Sequence, residues 1–301
     1  IWQCRVLSMK PSPILINLAL VLIALLWGAG FLPQRLGLET LEPMAFNVWR
    51  FGFGALTLIP ILICLRFKYL DTVHPQLLLA GLVLGLLLGA GAGFQQASIG
   101  LTKVANVAFI TGFYVIFVPV IGLFFRHRYS AITWGGGALA LLGLALLSGV
   151  QHEQLLNSNS VKGDFLALVG AIFWAIHLLA INHYVAKHNP YLLAFYQFLF
   201  CALFSLLSNM AFETSLLASD YSGYLWASIS GVFVVGGAYT LQVVVMKYSE
   251  PFVAAIIFSF ESVFGALVGY WFFQEVLGFY GLVGAGLMML GCIMAQWPQN
   301  S

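Results

Sequence analysis

Residues 250–275 read EPFVAAIIFSFESVFGALVGYWFFQE and contain an apolar run long enough to cross a lipid bilayer. Glu261 is the one charged side chain between Pro251 and Phe273, and a helix rising about 1.5 Å per residue places it near mid-membrane. A charge at that depth costs about 2.5–3.5 kcal/mol on insertion scales, so Glu261 is expected to face protein or a water-filled cavity. Either it belongs to a binding site, or it hydrogen-bonds a neighbouring helix and only holds the bundle together.

The composition of the whole chain indicates a polytopic membrane protein. Of its 301 residues, 61% are hydrophobic and 7% are charged, whereas a soluble domain carries about a quarter charged residues. The net charge is +2 and no basic run occurs, so no nucleic-acid partner is expected. The four cysteines form no CxxC pair and no ligand spacing with histidine, and no GxxxxGK[ST] stretch occurs. We therefore predict no metal, no cofactor and no nucleotide-driven pumping.

Ten apolar spans predict an all-α polytopic membrane protein with ten transmembrane helices. They cover approximately residues 13–37, 43–65, 75–99, 103–125, 132–150, 163–186, 190–212, 223–246, 251–273 and 278–297. A polar stretch at 151–162 is typical of a linker between two units of five helices. The predicted division is an N-terminal cytoplasmic segment (1–12), a first repeat (13–150), the linker (151–162), a second repeat (163–297) and a C-terminal tail (298–301).

The two five-helix units are related by an offset of 147 residues. The difference 174 − 27 = 147 recurs in pairs of residues that are uncommon in apolar segments: Trp27 and Trp174, Pro43 and Pro190, Gln95 and Gln242. Such pairs in one register predict an internal duplication. Because each unit has an odd number of helices, the second must cross the membrane in the opposite direction, which makes the duplication an inverted-topology repeat.

The distribution of Lys and Arg predicts that both termini lie in the cytoplasm. This orientation places eight basic residues inside: Arg5, Lys10, Arg66, Lys68, Arg126, Arg128, Lys187 and Lys247. It places three outside, namely Arg35, Lys103 and Lys162. Basic residues of membrane proteins concentrate on the cytoplasmic side, so this orientation is favoured over its reverse.

Three stretches of the chain resemble the EamA family of drug/metabolite transporters. They are ALLWGAGFLPQRLGLETLEPMAFNVWRFGFGAL from Ala24, GLTKVANVAFITGFYVIFVPVIGLFFRHR from Gly100 and LQVVVMKYSEPFVAAIIFSFESVFGALVGYWFFQEVLGFYGLVGAGLMMLG from Leu241. The resemblance covers nearly the whole chain and implies an inner-membrane carrier similar to bacterial exporters of amino acids and related metabolites, with substrate in a central cavity. The family usually has Glu-Pro where this chain has Glu261-Ser262, so the proline that would kink the helix beside Glu261 is missing here.

Nine side chains are candidates for a substrate-binding site: Trp27, Arg50, Gln95, Tyr114, Trp174, His177, Tyr239, Gln242 and Glu261. Arg50 is expected about 10 Å below the outer surface and Glu261 about 15 Å from the inner one, depths compatible with a salt bridge. A buried pair would explain both charges, and contact of Arg50 with a substrate carboxylate is the alternative.

The remaining candidates have the same two interpretations, substrate contact or helix packing. Trp174 and His177 are three residues apart and are expected on one helix face, where a tryptophan offers an apolar wall and one N–H donor. Tyr114 is the repeat counterpart of Glu261, since 261 − 147 = 114, and should face the same cavity. Glycines spaced by four predict packing seams between helices: Gly81, Gly85, Gly89 and Gly93, and Gly265 with Gly269.

These features predict a secondary carrier rather than an enzyme. The expected protein is an exporter in the cell inner membrane, a monomer or homodimer, which moves small amphipathic metabolites by alternating access. Protons are the candidate coupling ion, bound by Glu261 when it is unpaired. The alternative is an intramembrane enzyme acting on a lipid or isoprenoid group, with Glu261 and His177 as acid and base. The sequence lacks a paired-carboxylate motif, and an inverted repeat suits a transporter, so the carrier is favoured.

Overall fold

Every regular element that the structure describes is a helix. The computed structural model covers residues 11–69, 74–125, 128–147, 158–274 and 278–295, without the side chains of 65–69, 147, 158 and 159. The helices are α1 (Pro13–Gly37), α2 (Pro43–Tyr69), α3 (Pro75–Ile99), α4 (Val104–Thr111), α5 (Tyr114–Phe124), α6 (Ala131–Leu147), α7 (Ser158–Val185), α8 (Pro190–Phe212), α9 (Tyr221–Ile229), the π-helix α10 (Ser230–Tyr239), α11 (Thr240–Val245), α12 (Pro251–Phe258), α13 (Glu261–Phe273) and α14 (Phe279–Ala295).

The all-α membrane class is confirmed, and the number of spans stays a prediction. Eight helical stretches in the described ranges are long and apolar enough to cross a bilayer. The helices α6 and α14 are apolar but have 17 residues each, about 26 Å of helix, slightly less than the hydrocarbon thickness. The linker residues 151–157, the segments 1–10 and 296–301, and Arg126 of the orientation argument lie outside the described residues. The division into two repeats likewise stays a prediction.

Contacts between helix ends define two faces of the bundle. At the first face, Arg35 near the end of α1 donates from Nη1 to the carbonyl oxygen of Ile99 at the end of α3, over 2.6 Å. Gly163, near the start of α7, packs against Leu101 at the same face. At the second face, Asn182 near the end of α7 donates to the Met246 carbonyl oxygen that precedes α12. α1 therefore runs toward the first face and α7 runs away from it, as an inverted repeat requires.

Two spans are broken at equivalent positions of the repeat. α4 ends at Thr111 and α5 begins at Tyr114, while α12 ends at Phe258 and α13 begins at Glu261. The two breaks coincide, since 258 − 111 and 261 − 114 both equal 147. In the second break the backbone hydrogen bonds join residues three apart instead of four, for example from the Ser262 N–H to the Ser259 carbonyl oxygen over 3.0 Å.

Ser262 takes part in this break although it is not a proline. Its Oγ donates to the carbonyl oxygen of Ala108 on α4 over 2.6 Å, so the hydroxyl joins the two broken spans to each other. The interruption of the helix beside Glu261 is thus present without the missing proline. It leaves Glu261 as the first residue of α13, close to the centre of the bundle.

Glycines allow several helix pairs to approach closely. Gly81, Gly85 and Gly89 of α3 all face α8, so three members of the predicted α3 seam lie on one packing surface. A Cβ at Gly85 would lie 2.9 Å from the carbonyl oxygen of Gln197, which is closer than such atoms pack. Gly93 faces Met44 of α2 instead. The seam therefore fixes the distance between the two repeats on this side of the bundle.

The middle of the eighth predicted span is a π-helix. α10 covers ten residues between two α-helical segments, α9 and α11. Its counterpart α3 has regular α-helical form throughout. π-Helical turns widen the backbone and are found mostly near functional sites. Here the wide segment ends at Tyr239, whose ring points to the centre of the bundle, while its counterpart (239 − 147 = 92) is Ala92.

Candidate functional site

A cavity lies at the centre of the bundle, between the two broken spans. Its lining comes from α1, α2, α3, α7, α10 and α11 and from the residues that flank the two breaks. The lining residues are Trp27, Phe31, Gln34, Arg50, Gln95, Thr111, Tyr114, Trp174, Leu178, Val234, Tyr239, Gln242, Phe258 and Glu261. Each polar or aromatic candidate among them is at most 8% exposed, so the cavity is largely enclosed in this conformation.

Eight of the nine predicted site residues line this cavity, and His177 does not. The repeat relation places residues in pairs around it. Five pairs separated by 147 residues contribute both members: Trp27 and Trp174, Phe31 and Leu178, Gln95 and Gln242, Thr111 and Phe258, Tyr114 and Glu261. The cavity therefore lies between equivalent positions of the two predicted repeats, and inverted-repeat transporters bind their substrates at the interface of their repeats.

The cavity contains polar atoms that no protein group satisfies. They are the indole Nε1 atoms of Trp27 and Trp174, Nε and Nη2 of Arg50, the Tyr114 hydroxyl, Oε1 of Gln34, Oε1 of Gln242 and Oε1 of Glu261. Each is buried and lacks a hydrogen-bond partner within the described residues. Buried polar groups are nearly always hydrogen-bonded, and an unpaired one costs about 1–3 kcal/mol, so this set indicates that water or a ligand occupies the cavity.

Arg50 brings a positive charge into the cavity from α2. Its side chain is 1% exposed, and its guanidinium carbon lies 5.7 Å from the ring centroid of Phe46 and 4.9 Å from that of Phe51. The ring faces hold the cation by cation–π attraction and leave N–H groups free to donate. These donors form a planar fork that matches a carboxylate or a phosphate.

Glu261 brings a carboxyl group into the same cavity from the start of α13. Its side chain is 4% exposed and lies beside the hydroxyl of Tyr114, its repeat counterpart on α5. No hydrogen bond of good geometry forms between this hydroxyl and Glu261 Oε1 in the described structure. Nor does a salt bridge join Glu261 to Arg50 there, so the acid and the base line one cavity without being partners of each other.

Aromatic rings form one wall of the cavity. Tyr239 lies between the two repeat-related tryptophans, with ring centroids 5.0 Å from Trp27 and 5.8 Å from Trp174, and it stacks on Trp174 at 10°. Phe258 completes the wall at 4.8 Å from Trp27. Such rings offer a large apolar surface for a flat or branched side chain of a ligand.

Amide side chains line the half of the cavity nearer the first face. Gln95 donates from Nε2 to the hydroxyl of Thr111 over 3.2 Å. The side-chain amide of Gln34 donates to the backbone carbonyl oxygen of Gly30. The backbone carbonyl oxygen of Gln34 accepts a hydrogen bond from Nε2 of Gln96 over 3.1 Å. These bonds leave Oε1 of Gln34 directed at the cavity as an acceptor.

His177 lies behind the aromatic wall rather than in the cavity. It is fully buried, its Nε2 is 3.1 Å from Oε1 of Gln197 on α8, and its ring meets Trp174 edge-on at 5.9 Å. His177 therefore packs against Trp174, and Trp174 is the one of the two that lines the cavity. Direct substrate contact by His177 is therefore not favoured by this arrangement.

We expect His177→Phe to lower the free energy of unfolding by about 1–3 kcal/mol, because it leaves the buried amide of Gln197 without a partner. Thermal unfolding of the detergent-solubilised protein would measure this. His183→Gln is the matched control, since His183 is exposed and its hydrogen bond is to Lys187 on the same helix surface. Equal stability of the two variants would show that the His177–Gln197 contact does not support the fold.

Six lining residues were not predicted from the sequence: Phe31, Gln34, Thr111, Leu178, Val234 and Phe258. Three of them could have been found from their spacing along a helix. Phe31 and Leu178 each follow a predicted tryptophan by four residues, the spacing that keeps side chains on one helix face. Gln34 follows Trp27 by seven residues, two helical turns, and could have been found in the same way.

Comparison with known proteins also identifies a membrane transporter. The profile of the EamA-like transporter family matches the chain twice, at residues 14–149 and 161–296. A protein from Archaeoglobus fulgidus described as an uncharacterized transporter is 30% identical over 285 residues, 93% of this chain and 85% of that protein. YoaV of Bacillus subtilis, also described as an uncharacterized transporter, is 22% identical over 293 residues, 93% of this chain and 96% of that protein.

A further relative and a solved structure agree with these matches. YedA of Escherichia coli, described as an uncharacterized inner membrane transporter, is 29% identical over 161 residues, 52% of this chain and 50% of that protein. A crystal structure superposes with a TM-score of 0.76 at 17% identity over 94% of this chain and 98% of the other, which shows a shared fold. By its two family matches, the chain belongs to the EamA-like transporter family of the drug/metabolite transporter superfamily and is a multi-pass membrane transporter.

Proposed function

We propose that this protein is a secondary carrier that exports amino acids or similar small amphipathic metabolites by alternating access through its central cavity. One observation carries the proposal. Arg50 and Glu261 line the same enclosed cavity, and neither is paired with an opposite charge among the described residues.

Two unpaired charges in a buried cavity predict a ligand that carries both signs. Leaving either charge without a counter-ion is unfavourable, because a buried ion loses its hydration. A carboxylate on the ligand would satisfy the fork of Arg50, and an ammonium group would satisfy Glu261. A zwitterion supplies both groups on one small molecule, whereas a neutral lipophilic compound leaves both charges buried and unpaired.

The rest of the lining suits the apolar part of such a ligand. The wall of Trp27, Tyr239, Trp174 and Phe258 can pack against a hydrophobic side chain, and the two indole N–H groups can donate to a polar one. A pocket with an aromatic lining and a few convergent polar groups is the usual form of a small-molecule site.

The intramembrane enzyme is not supported by the geometry. Its proposed acid and base were Glu261 and His177, but only Glu261 lines the cavity, and Trp174 stands between His177 and the ligand space. The described residues contain no group of three or more His, Cys, Asp or Glu side chains that could hold a metal ion.

We propose the inner membrane as the location, with both termini in the cytoplasm, because of the Lys and Arg distribution. The first face then lies outside the cell. Protons are the coupling ion that we propose, because Glu261 is the one carboxylate among the lining residues and could bind a proton when no ligand cation is present. Residues from both halves of one chain line the cavity, so we propose a monomer or a homodimer of independent carriers.

Efflux from proteoliposomes tests this function. Vesicles are loaded with a pool of labelled amino acids and related metabolites, and release is followed at two pH gradients for wild type, Glu261→Gln and Glu39→Gln. Glu39 is an exposed carboxylate at the first face and serves as the matched control. We expect selective release of unchanged compounds by wild type and Glu39→Gln, and at least a tenfold slower release by Glu261→Gln, as for the loss of one charge-assisted contact of about 1.5 kcal/mol or more.

If Glu261→Gln and wild type release substrate at the same rate, Glu261 has no part in the mechanism, while the proposal that the protein is a carrier still holds. Release that is unaffected when the pH gradient is collapsed would exclude protons as the coupling ion. A pool from which wild type releases nothing would contradict the proposed substrate class.

A further inference from the structure

Two carboxylates join the two halves at the first face by capping each other's backbone. Glu42, just before α2, accepts hydrogen bonds from the N–H groups of Thr214 and Ser215 over 2.8 and 3.1 Å and from the Thr214 hydroxyl over 2.7 Å. Glu213, just after α8, accepts from the N–H groups of Met44 and Ala45 over 2.7 and 3.0 Å. We call these six residues, Glu42, Met44, Ala45, Glu213, Thr214 and Ser215, the clasp.

The hydrogen bonds of the clasp are of a strong type. Its bonds all end on a carboxylate, and hydrogen bonds to an ionised group are about twice as strong as neutral ones. Glu213 also lies at the N-terminus of α2, where the helix dipole favours a negative charge, and it receives a further bond from the Asn209 side chain over 2.7 Å. Hydrogen bonds from the Ser215 N–H and the Thr214 hydroxyl lower the pKa of Glu42 below its ordinary value, so it is ionised at neutral pH.

Neighbouring contacts extend the same junction. The Trp49 indole N–H donates to the carbonyl oxygen of Leu216 over 3.0 Å, and the Ser219 N–H donates to the carbonyl oxygen of Thr40 over 3.0 Å. The segment between α8 and α9 is thus attached to the first turns of α2 at several points, all of them at the first face.

The sequence has no carboxylate at the positions of the second face that correspond to Glu42 and Glu213. The counterpart of Glu42 is Asn189, since 42 + 147 = 189, and the counterpart of Glu213 is Arg66, since 213 − 147 = 66. Asn189 uses its side chain to cap its own helix, accepting from the N–H groups of Tyr191 and Leu192 over 2.9 and 3.3 Å. Asn189 therefore caps its own helix, whereas Glu42 caps the backbone of a segment in the other half.

An apolar groove lies between α2 and α8, on the second-face side of the clasp. It is lined by Trp49, Gly52, Phe53, Ala55, Leu56 and Ile59 of α2 and by Phe195, Leu199 and Ala202 of α8. These residues lie between the clasp and the second face. Gly52 has open space where a Cβ would stand, so the groove is open beside this residue, while the buried rings of Phe51 and Phe198 pack between the two helices with centroids 6.5 Å apart.

We propose that the clasp is a fixed hinge, in which Glu42 and Glu213 hold the first-face ends of α2 and α8 together throughout the transport cycle. The two helices then separate only toward the second face, and the opening of the cavity at the first face is made by other helices. Neither carboxylate touches the cavity, so both act on transport by positioning α2, which carries Arg50, relative to α8. This inference rests on the proposed alternating-access function.

Distances between spin labels test the hinge without any knowledge of the substrate. In a protein with its native cysteines replaced by alanine, one label pair at Val48→Cys and Phe212→Cys reports on the first face, and a second pair at Ile63→Cys and Tyr191→Cys reports on the second face. In lipid nanodiscs we expect one narrow distance distribution for the first-face pair and a broad or double distribution for the second-face pair. Two distances at the first face, or equally narrow distributions at both faces, would overturn the proposal.

Variants of the clasp provide the second arm. We expect Glu42→Ala combined with Glu213→Ala to broaden the first-face distribution and to slow efflux several-fold, while Glu39→Ala, an exposed carboxylate on the same loop, leaves both unchanged. An unchanged first-face distribution in the double variant would contradict the clasp. The distances are measured without substrate, so they decide whether the hinge exists whatever the efflux assay shows. If the wild-type protein releases nothing in the efflux assay, the proposed substrate class is refuted and the test of the hinge still stands.

Discussion

Arg50→Gln is expected to slow the transport of a zwitterionic amino acid by about 100-fold. The fork of Arg50 would bind the substrate carboxylate through two charge-assisted hydrogen bonds in a buried site, and loss of such a contact costs about 3 kcal/mol, or two factors of ten. Glutamine is a conservative choice because the repeat counterpart of Arg50 is already a buried glutamine, Gln197 (50 + 147 = 197). Initial rates of efflux from proteoliposomes would measure the effect.

Two controls separate binding of a carboxylate from general damage. Arg50→Lys keeps the charge but loses the fork, so we expect an intermediate loss of about tenfold. The decarboxylated amine of the same substrate lacks the group that Arg50 would bind, so wild type and Arg50→Gln should move it at similar rates. Equal losses for the amino acid and the amine would show that Arg50 supports the helix packing rather than the substrate.

Gly28→Ala is expected to destabilise the protein by about 1–3 kcal/mol, the usual cost of overpacking a well-packed interior. A Cβ at Gly28 of α1 would lie 2.7 Å from the carbonyl oxygen of Glu261 and 2.9 Å from the backbone nitrogen of Gly265, and it would also meet the Cβ of Phe264. Backbone atoms cannot turn aside as a side chain can, so α13 must move away from α1. Glu261 moves with it, and efflux should fall together with stability.

The matched control is Gly52→Ala on α2, where a Cβ meets nothing within 4 Å. Alanine is the better helix former by about 1 kcal/mol, so this variant should be as stable as wild type or more so. Thermal unfolding in detergent compares the two. A Gly28→Ala protein as stable as Gly52→Ala would mean that α1 and α13 are not held in close contact.

The helices of this fold could be predicted from hydropathy, and their breaks could not. A run of apolar residues long enough to cross a bilayer identifies α1 or α8 almost residue by residue, because backbone groups in lipid must be paired within the helix. The breaks at 112–113 and 259–260 depend on tertiary contacts instead. One of these contacts is the bond from the Ser262 hydroxyl to Ala108, 154 residues away, which local sequence does not reveal. The π-helix α10 likewise has no local signature.

The residues of the candidate site could be predicted where the repeat marked them with unusual residue types. Trp174 and Gln242 were found because each has an identical partner 147 residues earlier, but Phe258 has a threonine partner, Thr111, and gave no signal. Geometry within one helix explains the case of His177. Side chains advance by about 100° per residue, so both the third and the fourth residue after Trp174 share its general direction. In the structure the fourth, Leu178, faces the cavity, and His177 turns toward α8.

The pairing of Tyr114 with Glu261 has a consequence for direction. Two identical chains related by a twofold axis would present every group of the cavity twice, so one acidic group would face a second and repel it. In this chain Tyr114 stands where the second acid would be, and Gln197 stands at the position that corresponds to Arg50 (50 + 147 = 197). The lining therefore differs on the two sides of the cavity, and we expect a dipolar substrate to bind in one orientation with respect to the membrane.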